Sequence, residues 1–257
     1  MDKTLIHRFR MLWKGFFPNE ELPIVFFHCD ETCDAQPIKA IEGQHCVLDH
    51  IARVRAGQAL YFVDDTASCN GARLYFGFGA NLRPFHDTFP SCGMPGKISG
   101  ERVVVSGSET AALNAAYPGL PQRRRYLICK PWSALRETDI PEVVVFFPQP
   151  DALSGLMTLV HGPGAAPDTV ASLYCSGCSS LVYHPGRAVP EHGPQAFIGM
   201  LDMKARHYIE AGAVSFALPW HAFITMAERM EDNVLVSDVW KSVRTRMDRN
   251  SRLHSGD

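Results

Sequence analysis

The stretch Ile24-Val25-Phe26-Phe27, directly after Pro23, is the part of the sequence that decides the fold. Four consecutive apolar residues with β-branched and aromatic side chains are typical of a buried strand. A similar stretch, Val144-Val145-Phe146-Phe147, occurs later in the chain. Each copy precedes a predicted helix, a strand and a Cys-x-Gly turn. If this similarity reflects a duplication, we expect two similar halves packed about a pseudo-twofold axis, with the two stretches at equivalent places. The alternative is a similarity that arose by chance.

The rest of the chain alternates short apolar runs with helical patterns of 10–15 residues, which is typical of α/β proteins. We predict a mixed α/β (α+β) fold in which amphipathic helices cover one or two central mixed sheets. The predicted organisation is an N-terminal helix at 1–22, a single α/β domain at 23–232 that divides into halves 23–120 and 121–232, and a C-terminal helix with a basic tail at 233–257.

Composition excludes several classes of protein. The chain has 257 residues, of which 46% are hydrophobic and 20% charged, so it can bury a sizeable core. No apolar run reaches the 18 or more residues that a membrane helix needs. The net charge of −2 gives no general attraction for nucleic acid. We therefore expect no nucleic-acid partner and no membrane partner.

The N-terminal segment does not have the pattern of a secretory signal. Charged residues interrupt any apolar core between positions 1 and 14: Asp2, Lys3, Arg8, Arg10 and Lys14. A cytoplasmic protein is therefore expected, and its eight cysteines are interpreted as thiols or metal ligands rather than disulfides. The motifs of dinucleotide-binding proteins, phosphate-loop proteins, serine hydrolases and zinc metalloproteases are all missing from the sequence.

The cysteines are the strongest candidates for chemistry. Cys46, Cys69 and Cys178 each lie at a predicted helix start or at a turn before a helix. Helix N-termini favour thiolates and anionic clusters because their N–H groups are unpaired. Cys175 and Cys178 have the C-x-x-C spacing of a redox pair or of half a zinc site. The alternative interpretation is that these cysteines are small residues of turns and core, and the residues alone leave both open.

The order of these motifs resembles the bacterial and archaeal "domain of unknown function 169" family over residues 23–232. The matching features are the strand at 23–27, Cys46 in a segment that ends in Ala52-Arg53-x-x-x-Gly57, the turn Cys69-Asn70-Gly71-Ala72, the segment Gly77-Phe78-Gly79, the strand at 141–147, Cys178, Asp202-x-x-x-Arg206 and the strand at 213–219. The resemblance implies that Cys46, Cys69 and Cys178 are recurrent family cysteines. Some members have a further cysteine where this chain has Met200, and Cys29 and Cys33 look like local additions.

The predicted function is a cysteine-dependent metal-binding or redox protein. Its expected ligands are the thiolates of Cys46, Cys69 and Cys178, with Cys175 as a fourth, and their sulfur atoms are expected to converge. The expected cofactor is an iron–sulfur cluster, with zinc as the second choice. The alternative is a small-molecule binding or sensing domain with structural cysteines, and thiol redox chemistry through Cys175 and Cys178 is a third hypothesis.

The remaining predicted site residues are Arg206, Gly71 and Gly177. Arg206 is expected to hold a small anionic ligand by a bidentate contact. The two glycines are expected to line the cofactor site, because each follows a Cys-x pair where the backbone passes close or takes a positive φ. The sequence indicates neither the substrate nor the oligomeric state, and it assigns no role to Cys29, Cys33 or Cys92.

Overall fold

The computed structural model describes residues 3–38, 46–67, 69–79, 88, 90–100, 102–121, 123–162, 164–173, 177–190, 192–203 and 206–255. Its α-helices are α1 (Lys3–Phe16), α2 (Asp49–Arg55), α3 (Asn70–Tyr75), α4 (Gly107–Ala116), α5 (Pro150–Val160), α6 (His184–Arg187), α7 (Trp220–Glu228) and α8 (Asp238–Ser255), and a π-helix spans Ser179–Tyr183. Its strands are β1 (Ile24–Cys29), β2 (Gln36–Pro37), β3 (Leu60–Phe62), β4 (Gly93–Met94), β5 (Ile98–Ser99), β6 (Tyr126–Pro131), β7 (Val143–Phe146), β8 (Val170–Ala171), β9 (Ala196–Gly199) and β10 (Ser215–Pro219). Within these ranges no helix has the length and apolar character needed to span a bilayer.

Eight strands form one mixed sheet in the order β2-β3-β6-β1-β7-β10-β9-β8, and β4 pairs with β5 in a separate two-stranded sheet. The pairs β2–β3 and β8–β9 are parallel, and the other pairs of the large sheet are antiparallel. The predicted α/β fold with a central mixed sheet is therefore confirmed.

The large sheet contains the same strand arrangement twice. Outward from the centre, the first half has β1, β6, β3 and β2, and the second half has β7, β10, β9 and β8. When the four strands of each half are counted in chain order, the first strand is at the centre of the sheet and the fourth pairs with it. The third and then the second strand lie further out. The predicted equivalence of the two apolar stretches is therefore observed in the topology. The predicted boundary between residues 120 and 121 is wrong, however, because it separates β6 from the half whose sheet it completes.

Hydrogen bonds fix how the two halves correspond. The Trp132 N–H donates to the carbonyl of Pro23 (2.9 Å), and the Trp220 N–H donates to the carbonyl of Glu142 (2.8 Å). These tryptophans belong to the repeated sequence Pro-Trp-x-Ala at 131–134 and 219–222. The equivalent of Ile24 is therefore Val143, one residue earlier than the sequence similarity indicates. A slip of one residue matters because it would exchange the two faces of a strand.

The sheet is covered on both faces. One face is here called the thiol face, because Cys46, Cys69 and Cys178 pack on it. There, buried strand residues such as Phe26, Leu60 and Val145 contact apolar side chains of α2, α3 and the π-helix. On the opposite face, here called the aromatic face, the strand residues that alternate with these contact α1, α5, α7 and α8. Aromatic rings from several elements contact one another on this face: Phe9, Trp13, Trp132, Phe146 and Phe223. An aromatic side chain of this kind buries about 150–250 Å² of surface. The central strands are apolar at successive positions because both of their faces are buried.

His28, near the end of β1, ties the central strand to α3. Its buried ring lies between the Glu142 carboxylate (Nδ1–Oε2 2.8 Å) and the carbonyl of Phe76 (Nε2–O 2.8 Å). A carboxylate and a carbonyl both accept hydrogen bonds, so both ring nitrogens are placed to donate. Phe76 ends α3, and Gly77 follows it at φ +77°. The bond from His28 therefore holds the C-terminal end of the helix whose N-terminal end carries Cys69.

The π-helix is seated against β9 by a close contact. A Cβ atom added to Gly199 would lie 2.0 Å from Ser180 Oγ and 2.1 Å from Ser180 Cβ. The Ser180 hydroxyl also accepts a hydrogen bond from the Met200 N–H (3.3 Å) and donates to the Gly177 carbonyl (2.9 Å). Only glycine leaves room for this approach, so Gly199 fixes the position of the helix that follows Cys178.

We predict that Glu142→Gln makes the protein less stable at neutral pH, and that the difference shrinks in acid. Burial alone raises the pKa of the Glu142 carboxyl, but the hydrogen bonds and charge of His28, together with Arg123, hold the pKa below its ordinary 4.5. The carboxylate therefore stabilises the fold above pH 4.5, and this stability is lost as the pH falls through the lowered pKa. We expect a loss of about 1.5–3 kcal/mol in the free energy of unfolding at pH 7, measured by urea denaturation.

Glu137→Gln is the control for this prediction, because Glu137 forms a surface ion pair with Lys3. Such a pair contributes about 0–1 kcal/mol. A difference between wild type and Glu142→Gln that does not change between pH 7 and pH 3 would contradict the electrostatic role of Glu142.

We also predict that Gly199→Ala lowers the free energy of unfolding by about 1–3 kcal/mol, because the new methyl group overlaps Ser180. Gly107→Ala is the matched control, since Gly107 opens α4 and a Cβ there meets nothing within 4 Å. The control should be neutral or slightly stabilising. Equal urea midpoints for the two variants would show that β9 and the π-helix move apart at little cost.

Candidate functional site

Three of the predicted site cysteines lie on the thiol face, where the chain enters helical segments. The carbonyl of Cys46 accepts a hydrogen bond from the Asp49 N–H (3.2 Å) at the start of α2. Cys69 is the N-cap of α3, and its sulfur accepts a hydrogen bond from the Ala72 N–H (3.3 Å). Cys178 directly precedes the π-helix. Their positions at or before the first helical turn agree with the sequence prediction.

The fold brings these three cysteines together. The thiols of Cys69 and Cys178 share a hydrogen bond, and the charge of a thiolate at Cys46 would act on both. All three belong to the same apolar core, in which Cys178 is buried and the other two are partly buried. Cys46 and Cys69 come from the first half and Cys178 from the second, so the cluster lies where the two halves meet.

The duplicated topology explains part of this convergence. Cys46 precedes α2, which connects the second and third strands of the first half. Cys178 precedes the π-helix, which is in the connection between the second and third strands of the second half. The two residues therefore occupy equivalent places around the pseudo-twofold axis. Cys69 follows the third strand of the first half, and the corresponding segment of the second half follows β9.

The environment of the cluster raises the pKa of the Cys46 and Cys178 thiols, which favours their neutral form. Burial, together with the charges of Cys69, Asp202 and Asp49, raises the pKa of Cys46 to about 12, although a hydrogen bond with the Leu48 backbone opposes the rise. The hydrogen bond with Cys69 is the largest cause that raises the pKa of Cys178 well above its ordinary value, followed by burial and neighbouring charges. Each negative charge here makes the next one more costly, unless a cation is present.

Asp202 is a fourth acidic group beside the thiols. Its Oδ2 atom accepts a hydrogen bond from the Gly177 N–H (3.4 Å), and its charge acts on Cys46 and Cys178. Asp202 belongs to the Asp202-x-x-x-Arg206 motif but is not among the residues predicted for the site. Asp202 comes just after β9, the third strand of its half, as Cys69 comes after the third strand of the first half. This correspondence could have indicated that Asp202 lies near the cluster.

The side chains do not form a ready-made metal site. In the described ranges, no three His, Cys, Asp or Glu side chains are positioned to share one ion. Cys175, the predicted fourth ligand, lies outside the described residues. The cluster is therefore a group of neighbouring thiols whose sulfur atoms must reorient before they can hold a metal together.

Arg206 and Met200 lie in the chain segment that follows β9. Met200 is buried in the same core as the three cysteines and has a positive φ of 62°. Arg206 donates from Nη1 to the carbonyl of Met200 (3.2 Å) and to that of Ala213. These two bonds hold the chain segment between Met200 and Ala213 in place. Binding of an anionic ligand by Arg206 stays a prediction.

Gly71 and Gly177 do not have the positive φ that was one of the two expected reasons for a glycine there. Gly71 is the second residue of α3, whose N-cap is Cys69, and Gly177 is helical just before the π-helix. A helical backbone has negative φ, so the left-handed alternative is wrong. The close approach of the backbone at these glycines stays a prediction. Gly177 still contacts the site through its N–H bond to Asp202.

The other described cysteines are Cys29, Cys33, Cys92 and Cys129, and Cys129 belongs to the same apolar core as the cluster. Cys129 is completely buried in β6, where burial raises the pKa of its thiol well above the ordinary value, and Cys92 is exposed. Cys29 and Cys33 pack against the core of the aromatic face, on the other side of the sheet from the cluster. Sequence spacing did not reveal that these two thiols lie close together.

A cleft of about 410 Å³ is present where β3 ends and β6 begins. Its lining includes aromatic, acidic and basic side chains: Tyr61, Val63, Asp64, Asp65, Phe78, Arg124, Arg125 and Tyr126. All of these residues belong to the first half. The cleft therefore does not lie between the two halves.

Similarity to known proteins identifies the family of this chain. A family model matches residues 13–229, most of the chain, and this model is DUF169, described as "Uncharacterised ArCR". Comparisons with curated proteins and with solved structures gave no match. The match covers both halves of the sheet and includes the three clustered cysteines. The resemblance seen in the sequence is therefore confirmed, and the chain belongs to the DUF169 family.

Proposed function

We propose that this protein binds a thiolate-ligated metal centre between its two halves, with Cys46, Cys69 and Cys178 as the ligands. The observation that carries the proposal is the convergence of three thiols from separate helix starts in both halves of the chain. Buried cysteines that serve only as small apolar residues have no need to gather in this way. An acidic side chain, Asp202, beside them also favours a cation.

The physical argument is electrostatic. Without a cation, burial and mutual repulsion keep the thiols protonated and raise the pKa of Cys46 to about 12. A metal ion ligates the thiolate, so its positive charge offsets the repulsion and displaces the protons. A helix start also favours an anionic thiolate when one of its backbone N–H groups donates to the sulfur. The hydrogen bond from the Ala72 N–H to Cys69 supports this role for α3.

An iron–sulfur cluster is the form of metal centre that we propose. Three cysteines supply three ligands, which leaves one coordination position of a four-iron cluster open. When bound, such a cluster supplies electron transfer or an open iron for a small ligand. Zinc is the second candidate, because the Asp202 carboxylate could complete a four-donor set with the three thiolates. In either case, metal binding requires reorientation of the cysteine side chains.

We predict that protein purified without oxygen contains iron and sulfide and has the broad visible absorption of an iron–sulfur cluster. Cys69→Ser should lose most of this absorption, because Cys69 is in direct contact with Cys178. Cys92→Ser is the matched control, since Cys92 is an exposed cysteine. Its metal content should equal that of wild type. Elemental analysis gives iron and zinc together, and circular dichroism checks that each variant is folded.

Three results would contradict the cluster. Colourless protein with one zinc ion would favour the second candidate. Cys69→Ser with unchanged metal would exclude the three cysteines as the ligands. Protein that takes up neither metal, even after anaerobic incubation with iron, sulfide and thiol, would favour structural cysteines.

A further prediction concerns protons. Adding Zn²⁺ at pH 8 to reduced, metal-free protein should release about one proton for each thiol that becomes a ligand, because these thiols are neutral beforehand. Calorimetry in two buffers of different ionisation enthalpy measures the number. The release should fall by about one in Cys46→Ser and stay unchanged in Cys92→Ser. Equal proton release from all three proteins would contradict ligation by Cys46.

A further inference from the structure

We propose that Cys29 and Cys33 form a reversible disulfide, which makes this pair a thiol-modification site separate from the three-cysteine cluster. The Cys33 thiol donates a hydrogen bond to Cys29 Sγ, and the two sulfur atoms are 3.2 Å apart. A disulfide bond is about 2.05 Å long, so the sulfurs need to close by only about 1 Å. Both cysteines are partly exposed, which gives a small reactant access to them.

The backbone brings these thiols together. Cys29 ends β1, and the chain turns back so that Cys33 lies over it. Cys33 and Asp34 both have left-handed backbone angles (φ 50° and 60°), which are uncommon for residues other than glycine. Residues in such conformations persist where surrounding contacts hold them, and they cluster at functional sites. The turn therefore presents the two thiols to each other in a fixed arrangement.

Ion pairs hold the turn on both sides of the thiols. Asp30 pairs with Arg124 (2.8 Å), and Asp34 pairs with Arg136. Arg136 also pairs with Asp139, whose carboxylate is completely buried with Lys130 (2.8 Å). The turn is thus connected to a buried charged pair at the end of β6. Because this support does not involve the thiols themselves, we expect it to be present in both the reduced and the oxidised protein.

The hydrogen bonds indicate which thiol attacks first. Cys29 Sγ accepts from the Cys33 thiol and also from the Glu31 N–H (3.4 Å), the arrangement expected for an attacking thiolate. Burial, then the hydrogen bond with Cys29 and the charges of Cys29 and Asp139, raise the pKa of Cys33 to about 11, so Cys33 is the thiol that keeps its proton. Thiolates are the reactive form of cysteine in exchange with disulfides.

The oxidant that we propose is a low-molecular-weight disulfide, RSSR. The Cys29 thiolate attacks one sulfur of RSSR, which forms a mixed disulfide and releases RS⁻. Cys33 then loses its proton and attacks the Cys29 sulfur, which breaks the mixed disulfide and releases the second RS⁻. The two protein thiols lose two electrons, RSSR gains them, and the two protons pass to the released thiolates as two RSH. Excess RSH reverses both steps.

The test uses the full chain and a convenient cleavage pattern. Trypsin releases residues 15–39 as one peptide, which contains Cys29 and Cys33 and no other cysteine. Protein is equilibrated with mixtures of oxidised and reduced glutathione, alkylated to trap free thiols, and digested. We expect this peptide to lose two hydrogen atoms and to resist alkylation as oxidised glutathione increases. Dithiothreitol should restore two alkylation sites.

Two variants of the pair and two controls make the result decisive. Cys33→Ser and Cys29→Ser should each give, at most, a glutathione adduct on the remaining cysteine. Cys92→Ser should behave like wild type. Cys69→Ser should also form the disulfide, because the cluster lies on the opposite face of the sheet, so failure of the proposed metal centre leaves this inference intact. Wild-type peptide that stays doubly alkylated, or that carries glutathione on both cysteines, would overturn the proposal.

Discussion

The rest of the structure depends on the antiparallel pairing of β1 with β7 at the centre of the sheet. Val25 pairs with Val144, which is its equivalent in the other half, so the pseudo-twofold axis passes through this pair. β1 also pairs along its whole length with β6, and β7 pairs with β10. Because side chains alternate between faces, this register decides which residues face the thiol side and which face the aromatic side. It thereby fixes where every helix packs.

The two halves share a topology but have diverged at the site. In the first half, the segment after the third strand leads to α3, with Cys69 as its N-cap. In the second half, the segment after β9 contains Met200 and Asp202 and leads to a 3₁₀-helix at Arg206–Tyr208. A fully symmetric arrangement would place a second thiol there. The chain instead has a buried thioether and a carboxylate beside three thiols, so in the proposed metal centre this segment would supply no thiolate.

The sequence was sufficient for the fold class because the apolar stretches at 24–27 and 144–147 are buried on both faces, and such strands have an unmistakable composition. It also indicated Cys46, Cys69 and Cys178 as candidate site residues, because the N–H groups at a helix start favour a thiolate. It did not place β6 in the correct half, because strand order depends on long-range pairing rather than on local pattern. Nor did it reveal the contact between Cys29 and Cys33, which depends on left-handed backbone angles that the residues Cys33 and Asp34 do not ordinarily favour.

The position of the cluster between the halves connects the proposed metal to the fold. Cys46 and Cys69 are held by α2 and α3, and α3 is tied to the central strand through His28 and the carbonyl of Phe76. Cys178 is held by the π-helix, which Ser180 seats against Gly199. A metal that ligates all three thiolates would therefore add a further link between elements of the two halves, beside their apolar packing, hydrogen bonds and ion pairs such as that of Arg55 with Glu210. Since metal binding releases protons from buried thiols, its free energy would also depend on pH and would add to the stability of the interface between the halves.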